Sequence, residues 1–323
     1  MVAVPLTNDT VPGTGRAGPP QTGGRPTQRG RLLPYTLIAP AVVVLVVVLG
    51  WPILQLVVLS LQDYGPRSLF TGEAPFVGAD NYLEVLGAPT FWWVLLRTAF
   101  VAAVTVGVLM TVGFALASLL LRVSHWVGLV LSVCLVLVWA MPMVSAVVIW
   151  QWMFQPQYGV LNWIGTQLQV FGDLSARDWF ATPASALGVV LLLIVWKGLP
   201  FVVLTMYAAL GQIPAEFYEA ATIDKANAWQ SFRYVTYPML RPLLAILVVL
   251  EVIWSVNSFT PFWVLTQGGP DDATMTLGVF SYLTAFTRND YGLGSTVAVL
   301  TVAVLAVFAV LYVRRLIASG EVK

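Results

Sequence analysis

Apolar residues gather in six long blocks, near 32–61, 98–121, 127–153, 184–210, 243–266 and 295–316, separated by more polar stretches. About 20 consecutive apolar residues carry a helix across the hydrocarbon of a bilayer. Backbone groups in lipid must bond internally, so each block is expected to be helical. The predicted fold class is all-α, a polytopic membrane helix bundle with six transmembrane helices. Pro40, Pro52, Pro142 and Pro200 interrupt the blocks. Kinks of this kind are tolerated where neighbours satisfy the freed carbonyls, and they suit a bundle that bends or opens.

Basic residues divide unevenly between the connecting segments. With the N-terminus in the cytoplasm, eleven fall on the inner side: Arg16, Arg25, Arg29, Arg31, Arg122, Lys225, Arg233, Arg241, Arg314, Arg315 and Lys323. Three fall outside, Arg67, Arg177 and Arg288, so both termini are expected to be cytoplasmic. Arg97 sits at the outer edge of the second span, and Trp92, Trp93 and Trp179 lie where an interfacial aromatic belt would place them. Three long connections lie outside, near 62–91, 154–183 and 267–294, with nine acids against three bases. That surface suits a partner of complementary charge, or only reflects the ease of translocating acids.

Residues 1–31 are rich in Gly, Pro, Thr, Gln and Arg and read as a disordered cytoplasmic tail. The span-bearing domain is expected over 32–318, with a second short tail at 319–323. Gly13, Gly15 and Gly18 match a dinucleotide-binding spacing, but no strand precedes them and no helix follows, so the match carries no site. The first apolar block is too long for the core of a signal peptide.

Composition narrows the chemistry. The 323 residues are 59% apolar and 10% charged, against about 25% charged in an ordinary soluble chain. A net charge of +1 gives no basic face for nucleic acid. One cysteine, Cys134, excludes an intramolecular disulfide and reads as an apolar filler in the third span. One histidine, His125, excludes a multi-histidine metal site and falls in an inner loop beside Arg122. Neither paired carboxylates nor a nucleophile motif appears, so no catalytic residue is expected.

The inner segment 211–242 is too polar to span and too patterned for a plain linker. Pro214 suits the first position of a helix, and Glu216 and Glu219 then fall near its positive end. Phe217, Ala220, Ala221 and Asp224 share one helical face. The two alanines would let another surface approach closely. A second helical stretch over 228–235 carries Trp229 and Phe232, and Pro238 and Pro242 are expected to close the segment before the fifth span. The pattern fits a helix pair lying in a groove of a soluble partner, or an amphipathic helix on the membrane surface.

The run Glu219-Ala220-Ala221-Thr222-Ile223-Asp224-Lys225-Ala226, with Phe232 and Pro238-Met239-Leu240-Arg241-Pro242 after it, resembles the EAA loop of ABC importer permeases. More narrowly, it is similar to the first permease of the maltose-type carbohydrate importers. Gly78-Ala79-Asp80-Asn81-Tyr82, Trp150-Gln151-Trp152-Met153-Phe154, Tyr158-Gly159-Val160-Leu161-Asn162 and Leu265-Thr266-Gln267-Gly268-Gly269-Pro270 resemble further family segments in the same order. Thr274, Tyr282 and Phe286 continue the last of these. The similarity covers about residues 32–318. One position departs: Lys225 stands where the family usually has glycine.

The resemblance implies a carbohydrate-import permease, half of a translocation pathway, that binds no cofactor. ATP and Mg would be held by a separate ATPase dimer, since this chain has no phosphate-binding loop of the Walker type. Glu219, Ala220, Ala221, Asp224 and Phe217 would contact that ATPase. A second homologous permease, an extracellular or periplasmic solute-binding protein and the bilayer complete the expected partners, with no nucleic acid. A permease for another solute, such as glycerol phosphate, is the alternative, and a secondary transporter a further one. Lys197 and Glu251 fall at membrane depth, where a charge costs about 2.5–3.5 kcal/mol and is paired or functional. They are expected to line the pathway or to pair with each other. By position in the family, Lys197, Gly198, Phe201, Glu251, Trp254, Ser255 and Ser258 would surround the substrate.

Overall fold

A computed structural model describes residues 28–168 and 172–318. Their regular structure is helical, apart from one isolated bridge between Gln62 and Phe76. Both expected tails lie largely outside the described residues, as do Gly13–Gly18, although the first helix already begins at Gln28. The chain divides into two units, Met1–Ile53 and Leu54–Lys323.

The first unit holds α1 (Gln28–Leu45), a π-turn (Val46–Gly50) and the start of α2 (Trp51–Ser60). Side chains from Leu37 to Leu49 are all exposed and almost all apolar, as lipid-facing residues are.

In the second unit, short helices α3 (Pro66–Thr71) and α4 (Asp80–Gly87) precede α5 (Pro89–Leu120). Then come α6 (His125–Ala140), α7 (Met143–Met153), α8 (Val160–Leu168) and α9 (Pro183–Leu210). After these follow α10 (Ala215–Ile223), α11 (Ala228–Ser231), α12 (Tyr237–Val256), α13 (Thr260–Thr266), α14 (Leu277–Tyr282) and α15 (Tyr291–Ala318). Over the described residues, five helical stretches are long and apolar enough to cross a membrane, one of them, Ala228–Thr266, with an irregular turn at 257–259. The remaining predicted block, the third, is a bent pair, α6 and α7, turned through 99°.

Three details of the helical pattern depart from the sequence reading. Block three breaks because Pro142 has no N–H to offer the carbonyl of Val138, and α6 stops at Ala140. Block five breaks at 257–259, one turn before Pro261, and the Asn257 side chain caps the carbonyl of Ile253 at 2.8 Å. Pro238 and Pro242 do not close the 211–242 segment. They sit in the first turns of α12, preceded by a π-turn (Phe232–Thr236) in which Tyr237 N–H bonds the carbonyl of Phe232. The wider turn shifts the hydrogen-bond register ahead of Pro238, so one helical path runs from α11 into α12.

Packing in this unit is organised in two apolar clusters. One joins Val101, Val147, Leu193, Ile194, Phe262, Leu277 and Val297. The other joins Leu109, Val202, Met206, Leu240 and Leu247. Between them α5, α9 and α12 place polar or small residues: Thr105, then Lys197 and Gly198, then Glu251 and Ser255. A polar layer between two well-packed apolar ones is where a membrane bundle tolerates a cavity.

The family-like loop segments prove to be structural knots. Asn81 donates to the carbonyls of Ser60 (3.0 Å) and Gln62 (2.9 Å). Thr274 Oγ1 donates to the carbonyl of Gly269 at 2.9 Å, and Arg97 reaches the carbonyl of Met275 at 3.1 Å. Asn162, buried in the 154–183 segment, donates to the carbonyls of Pro156 (3.1 Å) and Arg177 (2.9 Å) and accepts from Trp179 Nε1 at 2.6 Å. A side chain on Gly159 would collide with the carbonyls of Met153 and Gln155. Trp179 thereby ties the 154–183 segment, and Trp92 and Trp93 are exposed at the start of α5. Cys134 is exposed on α6 and fills no core space. Asn162→Ala is expected to lower stability by about 2–3 kcal/mol, since it strands buried partners. A thermal melt of the detergent-solubilised chain measures this, and an unchanged midpoint would contradict the assignment.

Candidate functional site: a coupled helix and a polar cavity

Helix α10 presents the residues singled out from its pattern. Glu219, Ala220, Asp224 and the half-exposed Phe217 face outward, and Ala221 is partly covered. Pro214 takes the N-cap position, one residue ahead of the expected one, and Asp224 is the C-cap. Beneath, Tyr218 Oη lies 3.0 Å from Thr236 Oγ1, which pins α10 to the π-turn at the root of α12. The Phe232 and Phe114 rings meet edge-on at 5.1 Å and carry the attachment to α5. Asn227 and Gln230 form a reciprocal capping box that starts α11.

Lys225, where the family usually has glycine, has φ +55°. Its N–H bonds the carbonyl of Thr222 (3.0 Å), and Ala226 N–H returns to Ala221 (2.9 Å). The turn is the one glycine would form, held here by a lysine in the left-handed region at a cost of about 1–2 kcal/mol. Lys225→Gly is expected to slow hydrogen exchange in the last turn of α10 while leaving uptake intact. Lys225→Val, which is β-branched, is expected to do the opposite. Equal exchange in all three proteins would show the turn to be unstrained.

The two spans that flank α10 meet at a cavity of about 440 Å³, within the range of ligand pockets. Lys197, Gly198, Glu251, Trp254, Ser255 and Ser258 line it. Phe201 does not; it packs behind, against the rings of Trp254 (5.2 Å) and Trp139 (6.4 Å), both of which do. Thr105, Trp139, Met143 and Asn257 also line the cavity and were not singled out. Of these only Thr105 carries a signal in the sequence, as a hydroxyl within the apolar run of α5. The others reach the cavity only because blocks three and five break beside it.

Glu251 is 3% exposed, and its Oε1 has no hydrogen-bond partner; neither have Ser255 Oγ and Thr105 Oγ1. Lys197 does not pair with Glu251. Its ammonium donates to the carbonyls of Val138 (2.9 Å) and Trp139 (2.6 Å), at the broken end of α6. A side chain on Gly198 would come within 3.1 Å of Leu109, so glycine lets α9 pack closely on α5, beside Glu251 Oε2 at 3.7 Å. Among the described residues no group of three acid, histidine or cysteine side chains is placed to hold a metal.

The fold and this arrangement define a membrane-spanning helical bundle with a polar chamber and an exposed helix between two of the spans that line it. Residues 109–319 match the family described as the inner-membrane component of binding-protein-dependent transport systems. The chain is 38% identical over 91% of its length to the diacetylchitobiose uptake system permease of Streptomyces coelicolor, covering 90% of that protein. It is 33% identical over 87% of its length to the trehalose/maltose transport system permease of Thermococcus litoralis, covering 92% of it. The fold matches a chain of a bacterial ABC transporter involved in alginate import, with TM-score 0.74 and 17% identity over 89% of this chain and 96% of that one. The chain therefore belongs to the inner-membrane permeases of binding-protein-dependent ABC importers.

Proposed function

We propose that this permease imports a carbohydrate, a sugar or oligosaccharide, and forms half of the pathway beside a second homologous permease. A solute-binding protein delivers the substrate from outside. A separate ATPase dimer, which holds ATP and Mg, seats α10 through Glu219, Ala220, Ala221, Asp224 and Phe217. Both chain termini lie in the cytoplasm. The named substrates of the two relatives above support the choice of carbohydrate.

The observation that carries the reading is the set of unpartnered Glu251, Ser255 and Thr105 oxygens beside the face of Trp254 in one cavity. Hydroxyl groups of a sugar satisfy such oxygens, and its apolar face stacks on an aromatic plane. An anion such as glycerol phosphate would meet the unpartnered Glu251 carboxyl in this cavity, and the Lys197 ammonium already gives two of its three N–H bonds to carbonyls. Coupling follows from the layout: movement of α10 reaches the chamber through α9 on one side and α12 on the other. This is a coupling free energy between a nucleotide site and a transport site. Uptake of a panel of labelled oligosaccharides and glycerol phosphate, in cells with and without the gene, tests the substrate class. Gene-dependent uptake confined to the phosphate would overturn it. Co-purification of an ATPase subunit tests the coupling separately.

A further inference from the structure

We propose that Lys197 is a positioning residue that holds the broken end of α6 against α9, so that the cavity wall formed by Trp139 and Met143 moves with the span leading into α10. It rests on the transport reading above but not on the identity of the solute.

The argument begins with the bend. A helix that ends inside a bundle leaves its last carbonyls without intrahelical donors, and those groups must be satisfied internally at membrane depth. In a continuing α-helix the donor to the Val138 carbonyl would be the N–H of residue 142, which is proline; the Met141 N–H reaches that carbonyl only at a long 3.4 Å. The turn through 99° removes the donor that would serve Trp139. Lys197, reaching across from the middle of α9, donates to both, at 2.9 and 2.6 Å. A cation at a helix C-terminus is also favoured by the helix dipole. One turn further along α9, the Phe201 ring stacks on Trp139 at 6.4 Å with planes 21° apart. The end of α6 is thus gripped twice by α9, once by charge and once by a ring.

That grip has a functional consequence. Trp139 and Met143 stand on the two sides of the break and both line the cavity. When α10 is displaced, α9 moves with it, and the clamp transmits the movement to the break without any contact between Lys197 and solute. The same commitment explains why Glu251 keeps an unpartnered oxygen in a cavity that contains a lysine.

The test uses the full chain in lipid nanodiscs, with Cys134→Ser and spin labels at Val133 and Val148. Both positions are exposed, on α6 and α7 respectively. Lys197→Met is expected to broaden the distance distribution across the break, and Lys197→Arg to keep the parent distribution. In cells with the complete transport system, Lys197→Met is expected to lower the maximal uptake rate by about tenfold with KM within about twofold, the signature of a lost conformational step. Lys197→Arg is expected to retain uptake. A group that binds solute would instead raise KM and leave the distance alone. An unchanged distribution, an unchanged maximal rate, or a loss confined to KM overturns the proposal. If Lys197→Met does not assemble, Lys197→Cys is modified after purification, with the labels introduced as nitroxide amino acids. Aminoethylation, which restores the ammonium, is expected to recover the parent distribution, whereas methylthiolation is not. Equal behaviour of the two adducts also overturns it. Because the distance measurement needs no solute, its failure is separable from failure of the carbohydrate assignment.

Discussion

Replacing Ala220 by tryptophan, alone and together with Ala221→Trp and Glu219→Trp, is expected to reduce uptake by roughly 100-fold or more, about the energy carried by one close-packed hot spot, lost here from transmission and not from assembly. Ala220 is exposed, so the single replacement adds bulk outside the fold and leaves the packing of α10 on Thr236 intact. The loss then arises where the partner must approach the helix backbone. Amounts of assembled complex, ATP hydrolysis and uptake are measured in the same membranes. The expected result is normal assembly, with solute uptake lost and hydrolysis no longer responsive to substrate. Normal import by the triple variant, with the complex present, would show that α10 is not the coupling element.

Glu251→Gln is expected to separate stability from transport. The carboxylate is buried with one oxygen unpartnered, an arrangement that costs the fold about 1–3 kcal/mol or more. Glutamine keeps the shape and removes the charge, so the thermal midpoint of the isolated permease is expected to hold or rise. Uptake is expected to fall by about tenfold or more, because a neutral amide is a weaker acceptor for ligand hydroxyls than a carboxylate. Opposite signs in the two measurements mark a residue kept for function at the expense of stability. Wild-type uptake by this variant would remove Glu251 from the pathway. A drop in both measurements would make it a structural residue.

Much of this was legible before any coordinates. Six apolar blocks announced the spans, because lipid compatibility is a property of composition over some 20 residues. The polar stretch between blocks four and five announced a helix, because Pro214, two acids and a small-residue face agree on it. Charged residues within apolar blocks, Lys197 and Glu251, drew attention for the energetic reason that nothing places them there cheaply.

Other features were not legible, and each for a local reason. Pro142 and Pro238 were visible, but whether a proline kinks, ends or merely starts a helix depends on which neighbour supplies the missing donor. At Pro238 a π-turn shifts the hydrogen-bond register and the helix continues; at Pro142 no such turn forms and the span bends through 99°. The place of Trp179 in the chain did not show that its N–H would tie it to the buried Asn162. Phe201 shares a span with the cavity residues but faces two rings instead.

The amino-acid order by itself determined the class of protein, the number of apolar blocks and the position of the exposed helix, since these follow from hydropathy, capping and turn chemistry within a few residues of each other. Tertiary structure decided the rest: that Lys197 serves carbonyls of another span, that Glu251 is left unpaired, and that two broken spans open a chamber between two apolar clusters. Those outcomes depend on which groups meet across about 60 positions of chain, as Lys197 and Val138 do. A one-dimensional pattern records what each segment tolerates but not which distant segment satisfies it.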